Sequence, residues 1–282
     1  MKYIKPAFLF FANLFFLTLI VHSQKVKLLL NKGSRYETTT TSKSSSVSTI
    51  MGREMESNME NTTIQIIEVK DLRENETDLV STISKITAST TLMGQEMNYD
   101  SDSKNNDGPM AEFLGKMVGK PKNITINAGG IVTYEEKSID SASDQLSMMM
   151  GSGLTDNIPM IQASLVGKEI KIGYSWIDSV ITNTEKIKTR IFGTYSVLKI
   201  ENNIATIGFE GTQNISGNIE QMGQEMAMAT SSKVTNQIQL NLTNGFIIEN
   251  SYSVSGSGNI DAMGMSIPLT VNSTVINKIK ML

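Results

Sequence analysis

Apolar and polar side chains alternate over long stretches in the second half of the chain. In residues 237–242 the odd positions are Gln or Asn and the even positions are Ile or Leu. Asn244-Gly245 follows, a dipeptide typical of tight hairpin turns. Apolar side chains of one parity then return at Phe246, Ile248, Tyr252 and Val254, and again at Ile267, Leu269, Val271 and Val275. A period of two predicts strands with one solvent-exposed face, and therefore an antiparallel sheet.

Two further stretches are predicted as strands from composition and length. Residues 38–46 are nearly all Thr, Ser and Lys, which fits either a low-complexity linker or a solvent-facing strand. The threonines, with Val47 and Ile50 after them, favour the strand. A long strand is predicted over residues 186–200, ending at a turn that contains Asn202-Asn203.

The middle of the chain has a different period. Apolar residues at positions 110, 113, 114, 117 and 118 follow the spacing of one helix face. Gly108-Pro109 suits the start of a helix and Gly119 its end, so we predict a helix over residues 110–118. Shorter helices are predicted over 143–150 and 158–166, and a hairpin over 124–136.

A methionine–glycine motif recurs through the chain. Met-Gly-x-Glu-Met occurs at residues 51–55, 93–97 and 222–226, and Met-Gly-Met at 263–265 is a partial fourth copy. The paired glycines are 42 and 41 residues apart, and the two pairs are offset by 171 and 170. We predict two related units, residues 33–100 and 204–276, with a helical insert at about 107–167. Each motif is expected at a hairpin tip, with glycine first in a two-residue loop and at positive φ.

The N-terminus has the pattern of an export signal. Lys2 and Lys5 precede an apolar run over residues 7–21 that holds five of the nine phenylalanines, and small Ser23 follows. The run is too short for the roughly 20 apolar residues that span a bilayer. We therefore predict that residues 1–24 are a signal peptide, that residues 25–282 form one exported β-rich domain without a transmembrane helix, and that the protein is periplasmic or extracellular.

Composition excludes several kinds of chemistry. The chain has no Cys, and its one histidine, His22, lies in the predicted signal. A Ser-His-Asp triad, a cysteine nucleophile, disulfides and the usual zinc ligand sets are therefore impossible in the exported domain. Downstream of the signal, 23 basic residues stand against 28 acidic ones without a dense basic cluster, so no nucleic-acid partner is expected.

Eighteen methionines are many for a chain of this length. They favour three different interpretations: a thioether site for monovalent copper, a pliable apolar cavity for a hydrophobic ligand, or simple filling of a core with few aromatics. Without His or Cys the copper interpretation is the weakest, so no metal and no cofactor is predicted. The candidate ligand-lining residues are those of the tips: Met51, Met55, Met93, Met97, Met222, Met226, Met263 and Met265.

One loop carries the only motifs that suggest an enzyme or a cation site. Residues 101–104 spell Ser-Asp-Ser-Lys, which fits the S-x-x-K pattern of serine acyl-enzymes, but the S-D-N and K-T-G partners of that pattern are absent. Asp100, Asp102 and Asp107 sit in the same run, yet Lys104 occupies a position that a calcium loop needs for a ligand. We expect a solvated loop and no catalytic residues, so the protein is predicted not to be an enzyme.

Several short motifs of the exported part resemble a family of exported bacterial proteins of unknown function. They are Gly33-x-x-Tyr36, the Met-Gly-Gln-Glu tip, Asn98-Tyr99-Asp100-Ser101 before a Gly-Pro-capped helix, and a hairpin at Ile131-Val132. The resemblance covers most of residues 25–282 and implies no catalytic residues. A broader architectural likeness is to periplasmic lipoprotein carriers and related lipid-binding half-barrels. It implies a curved antiparallel sheet with helices against the concave face.

The expected fold is mainly β, with some α: a curved antiparallel sheet or half-barrel from two related meanders and a central helical insert. The leading functional hypothesis is an exported, non-enzymatic module that binds a hydrophobic ligand, such as a lipid, or an envelope component. The alternative is a structural or protein-interaction component of the envelope without a small-molecule ligand. The oligomeric state does not follow from the sequence.

Overall fold

A computed structural model describes residues 24–50, 52–92, 94–104, 106–134, 158–183, 186–221, 224–262 and 264–282. Strands dominate this part of the chain. They are β1 Gln24–Lys25, β2 Arg35–Ile50, β3 Arg53–Leu72, β4 Glu76–Leu92, β5 Gln95–Asp100, β6 Pro121–Asn127, β7 Val132–Tyr134, β8 Glu169–Ile170, β9 Ser175–Asn183, β10 Ile187–Glu201, β11 Ile204–Gln221, β12 Gln224–Asn241, β13 Phe246–Ala262 and β14 Met265–Met281. One helix, α1, spans Pro109–Leu114, and a 3-10 turn spans Ala163–Leu165.

Twelve of these strands form one curved, unclosed antiparallel sheet, which confirms the predicted fold class. Its order is β7-β6-β4-β3-β2-β14-β13-β12-β11-β10-β9, with β5 also paired to β4. The first and last long strands, β2 and β14, are neighbours at its centre. Strand β1 pairs with β8 in a separate two-stranded ribbon.

The Met-Gly motifs close hairpins, as predicted, at all four positions. The pairs that flank the loops are Ile50 with Arg53, Leu92 with Gln95, Gln221 with Gln224, and Ala262 with Met265, so two residues separate the strands each time. The glycines of three of these loops, Gly52, Gly94 and Gly264, have φ of 75°, 78° and 77°. Glycine is the second loop residue, not the first as expected. Gly223 lies outside the described residues.

At the opposite ends of the strands the turns are polar. Asn202 and Asn203 both have positive φ, and they join β10 to β11 at the predicted place. Two successive positive φ angles match the right-handed twist of the flanking strands, and Asn tolerates them better than most residues. The hairpin predicted over residues 124–136 is present as β6 and β7 as far as Tyr134.

The predicted helix over residues 110–118 is too long. Helix α1 ends at Leu114, and Gly115 N–H still donates to Ala111 O, four residues back, but the amides of Lys116 and Met117 bond three residues back in turns. The chain is then held by the sheet: Val118 bridges to Ile83, and Gly119 N–H donates to Ile83 O at 2.8 Å. Tertiary backbone bonds therefore replace the helix in its last turn. The predicted helix at 158–166 is a mere 3-10 turn, and the one at 143–150 lies outside the described residues.

Two strand predictions also need correction. The Thr- and Ser-rich stretch is the strand β2, but it is not solvent-facing: Thr38, Thr40 and Ser42 are buried, because β2 lies mid-sheet between β3 and β14. In β13 a bulge at Ile248 shifts the register, so Ile247 faces the core instead of Ile248.

The buried apolar side chains form three clusters on one face of the sheet, near the polar-turn ends of the strands and around α1. One cluster lies on the C-terminal strands around Val197, Ile207 and Ile238, and a second lies on the N-terminal strands around Ile67 and Ile126. The third packs α1 on β4 through Leu114 and Ile86. We call the face that carries them the inner face.

Candidate functional site

The inner face of the sheet is the candidate site, because the two faces differ sharply in composition and cover. Along β13 the outward side chains are exposed and polar, at Ser255, Ser257, Asn259 and Asp261, while the inward ones are small or apolar and half-buried. The other long strands show the same alternation. The outer face is therefore a solvated surface.

Two separate segments cover one end of the inner face. Residues 24–30 and 158–172 lie across the polar-turn ends of the strands, where Val26, Met160 and Leu165 are almost fully buried. Backbone bonds hold them there: Leu29 N–H donates to Asn244 O and Ile247 N–H to Met160 O, both at 2.9 Å. This end of the sheet is a closed core.

A row of buried polar side chains follows the closed core along the strands. We call it the polar belt, and its members are Thr38, Thr40, Ser42, Asn61, Thr63, Ser81, Thr90, Ser232 and Asn277. Thr40 Oγ1 donates to Asn277 Oδ1 at 2.7 Å, and Gln65 joins Thr38 to Ser81 through bonds of 3.2 and 2.5 Å. No member of the belt carries a charge.

Some polar atoms on this face lack a partner among the described residues. Thr63 Oγ1, Asn236 Oδ1 and Asn250 Oδ1 are buried and make no hydrogen bond there. An unpaired buried polar atom costs about 1–3 kcal/mol, so these atoms favour a further hydrogen-bonding group at this place, such as water or a ligand.

Beyond the belt, towards the Met-Gly tips, the inner face becomes apolar again. We call this region the apolar track: Ile215, Met226, Met228, Ile260, Ile267, Leu269 and Val271. Register places them side by side, since Met228 faces Ile260 and Ile260 faces Ile267. They are half-buried, they belong to none of the three core clusters, and no described helix or loop covers them.

A broad depression of about 1020 Å³ lies on the sheet between the core end and the track. Its lining includes Tyr99 on β5 and Val254 on β13, although β4, β3, β2 and β14 separate these two strands. The sheet therefore curves between these strands, and the depression is lined from both faces, since outward Ser255 and Asn272 join inward Met59 and Val254. Most of the lining is Ser, Thr and Asn, with Met59 and Ala88 among them.

The methionines predicted to line a ligand site share the inner face where they are described. Met55, Met97, Met226 and Met265 have the parity of Met59, Tyr99, Met228 and Ile267 respectively. They lie on β3, β5, β12 and β14, so neighbouring ones are two strands, or about 10 Å, apart. This spacing suits a rim better than one metal centre. Met51, Met93, Met222 and Met263 lie outside the described residues.

Ion pairs and side-chain hydrogen bonds stabilise the loop that carries the acyl-enzyme and calcium motifs. Lys85 forms an ion pair with Asp102 and a longer one, 3.7 Å, with Asp100. The Asn106 side chain donates to the carbonyls of Asp100 and Ser103 at 2.6 and 2.9 Å and so closes the loop. Among the described residues no cluster of acidic or histidine side chains could hold a metal ion.

An aromatic ladder at the far side of the sheet was not predicted. Tyr174, Trp176, Tyr195 and Phe209 stack in sequence, with ring centroids 5.7, 5.1 and 4.6 Å apart. Register aligns the last three on β9, β10 and β11, so strand pairing positions them. Burial raises the pKa of Tyr195, and it raises that of nearby Tyr252 to about 12, so burial favours the neutral form of both phenols. The Tyr195 hydroxyl accepts a hydrogen bond from Gln162 Nε2 at 2.5 Å.

Sequence comparison finds one family. The model of a family of unknown function, DUF6263, matches residues 133–247, which is less than half of the chain. No curated protein matches the sequence. No helix of the described residues has both the length and the apolar character needed to cross a membrane.

Solved structures give weak likenesses to a lipid-binding protein and to outer-membrane channels. One is a structure of lipid–protein interactions in lipovitellin, with 13% identity, 89% of this chain covered and a TM-score of 0.47. The chain spans 26% of that lipovitellin chain. Another is the COG4313 outer membrane channel from Pseudomonas putida F1, with 8% identity, 90% and 98% of the two chains covered, and a TM-score of 0.21. Scores this low carry no functional argument.

Proposed function

We propose that the protein is an exported, non-enzymatic module that binds an amphiphilic ligand such as a lipid on its inner face. The observation that carries the proposal is the apolar track: seven half-buried apolar side chains share one face of four neighbouring strands, and no described element covers them. Soluble domains rarely leave such a surface open unless something binds there. The track runs about 14 Å along β14, from Ile267 to Val271, which offers contact to part of an acyl chain.

The polar belt adds the second half of the argument. It adjoins the track and offers hydroxyl and amide groups, including the unpartnered Thr63 Oγ1, and the unpartnered oxygens of Asn236 and Asn250 lie on the same face. Since the belt carries no charge, an uncharged hydrogen-bonding headgroup fits it better than a phosphate or a carboxylate, which would lose its hydration without a counter-charge. The proposed ligand is thus an amphiphile with a neutral polar head.

Titration with a dansyl-labelled fatty alcohol tests the binding. Leu269 lies on the apolar track, and its neighbour Thr270 points to the outer face of the same strand. Leu269→Asp should weaken binding about tenfold or more, because it places a charge in the apolar site, whereas Thr270→Asp should leave binding unchanged. Met226→Leu should bind normally and Met226→Asp poorly.

Two results would contradict the proposal. If Leu269→Asp and Thr270→Asp affect binding equally, the ligand does not bind on the inner face. No binding, together with a ligand-free mass by native mass spectrometry of protein purified from envelopes, would favour the structural or protein-interaction alternative.

Export itself is tested by N-terminal sequencing of envelope protein, which should begin at Gln24 or Lys25.

A further inference from the structure

The free edge at β9 is the least protected part of the sheet surface. Strand β9 pairs with β10 on one side, from Ser175–Ser196 to Asn183–Lys188, and no described strand pairs with its other side. The strand has nine residues without Lys, Pro or a bulge, three of the features that protect an edge, and Asp178 is its one charged residue. Its apolar side chains are exposed: Ile177 by 68%, Ile181 by 55% and Val180 by 48%.

The register shows which backbone groups of β9 face this edge. Asn218 N–H donates to Lys186 O, so the even residues of β10 bond towards β11 and the odd ones towards β9. The odd residues of β10 face the even residues of β9. The N–H and C=O groups of residues 175, 177, 179, 181 and 183 therefore point to the free edge. Consistent with this, Ser179 N–H bonds only the adjacent Asp178 carboxylate, at 2.8 Å.

The sequence of the edge is self-complementary about Ser179. Ile177 and Ile181 lie two residues on either side of Ser179, and their side chains share its outer face. In an antiparallel pair of two β9 strands centred on Ser179, Ile177 of one copy faces the partner's Ile181, and the reverse pair repeats by symmetry. The exposed Phe192 ring on β10, opposite Ser179, flanks both pairs.

We propose that the protein forms a two-fold symmetric dimer through β9–β9 pairing centred on Ser179. The pairing adds about ten backbone hydrogen bonds, two for each of the five outward-facing residues. It buries four isoleucines on the outer surface and joins the two inner faces into one continuous sheet. A symmetric, self-complementary patch of this kind is the usual basis of a closed homodimer.

Light scattering on the size-exclusion peak tests the dimer, with protein expressed as the full chain. Wild type should elute as a dimer at micromolar concentration. Ile177→Lys should convert it to a monomer, since it places a charge at the centre of the interface. Leu198→Lys is the matched control: Leu198 is a similarly exposed residue (58%), on β10 beyond the paired stretch, and the variant should stay dimeric.

A single cysteine gives a second test, because the native chain has none. Hydrogen-bonded partners in antiparallel strands are about 5.5 Å apart at Cα, within disulfide reach. Ser179→Cys should therefore form a covalent dimer on mild oxidation, while Thr212→Cys, exposed on the central strand β11, should not. A monomeric wild type, or equal cross-linking of the two variants, would overturn the proposal.

Discussion

Glycines allow aromatic packing on the C-terminal strands. The Phe209 ring lies across Gly193 and Gly211 of the paired strands β10 and β11. A Cβ added at Gly193 would lie 2.5 Å from Phe209 Cζ and 2.4 Å from Glu210 O, so glycine is required there by close contact rather than by its backbone angles.

We predict that Gly193→Ala lowers the free energy of unfolding by about 1–3 kcal/mol, because the ring and the neighbouring strand must move. Gly208→Ala is the control, since its Cβ would meet only the exposed Leu198 side chain, at 3.2 Å. Urea denaturation measures both. Equal stability of the two variants would show that Phe209 does not need this space.

The buried phenol of Tyr252 predicts a loss of stability in alkali. Burial, and secondarily Tyr195, raise its pKa to about 12 from 10.0. Between these values the unfolded chain releases the proton while the folded chain keeps it, so stability falls as pH rises, by up to about 1.4 kcal/mol per pH unit. Tyr252→Phe should flatten this slope in urea melts from about pH 9 to about pH 12, a range that includes both pKa values. Tyr174→Phe, at an exposed tyrosine, is the control.

Helix α1 is short, but its anchor to the sheet is well defined. Leu114 is fully buried against Ile86 and Tyr99, whereas Phe113 is only half-buried. The length of the helix therefore says little about its contribution here, since the buried Leu114, partly buried apolar neighbours such as Phe113, and the backbone bonds of Ile83 hold the segment.

We expect Leu114→Ala to cost about 2–5 kcal/mol, the range for a buried leucine. Glu112→Ala on the exposed side of α1 should change stability by less than about 0.5 kcal/mol, because its ion pair with Lys116 is solvent-exposed. Thermal and denaturant melts measure the free energy of unfolding of both variants and so show whether the helix is anchored or peripheral. A small loss for Leu114→Ala would mean that the third cluster contributes little to folding.

The N-terminal segment belongs to the core of the whole molecule. Val26 is 1% exposed and packs among residues from six strands, while Leu29, three residues on, is 54% exposed. Backbone bonds from Val26 to Gly167 and Lys168 join this segment to the middle of the chain over the closed end of the sheet.

We predict that Val26→Asp lowers the free energy of unfolding by more than about 3 kcal/mol, since it buries an unpaired charge. Leu29→Asp, on the other side of the same segment, should stay within about 0.5 kcal/mol of wild type. If Val26→Asp is as stable as Leu29→Asp, the segment does not cover the core.

The local alternation of side chains was sufficient to predict antiparallel strands, the inward parity of Ile238 and Leu240, the polar turn at Asn202 and the hairpins at Gly52, Gly94 and Gly264. These features depend on residues close in sequence, where sterics and the period of two act directly. The same parity places the described tip methionines on the inner face of the sheet, although their part in ligand binding stays a prediction.

Other features were decided by contacts between distant parts of the chain. The Thr-rich strand is buried because β14 lies beside it, and the Thr40–Asn277 bond joins residues 237 positions apart. Contacts between residues far apart in the sequence also end α1 at Leu114 and turn Ile247 inward at a bulge. The order of the strands in the sheet leaves β9 at an edge. A period of two tells which side chains share a face, but the neighbouring strands determine which face is covered, and only the tertiary structure supplies them.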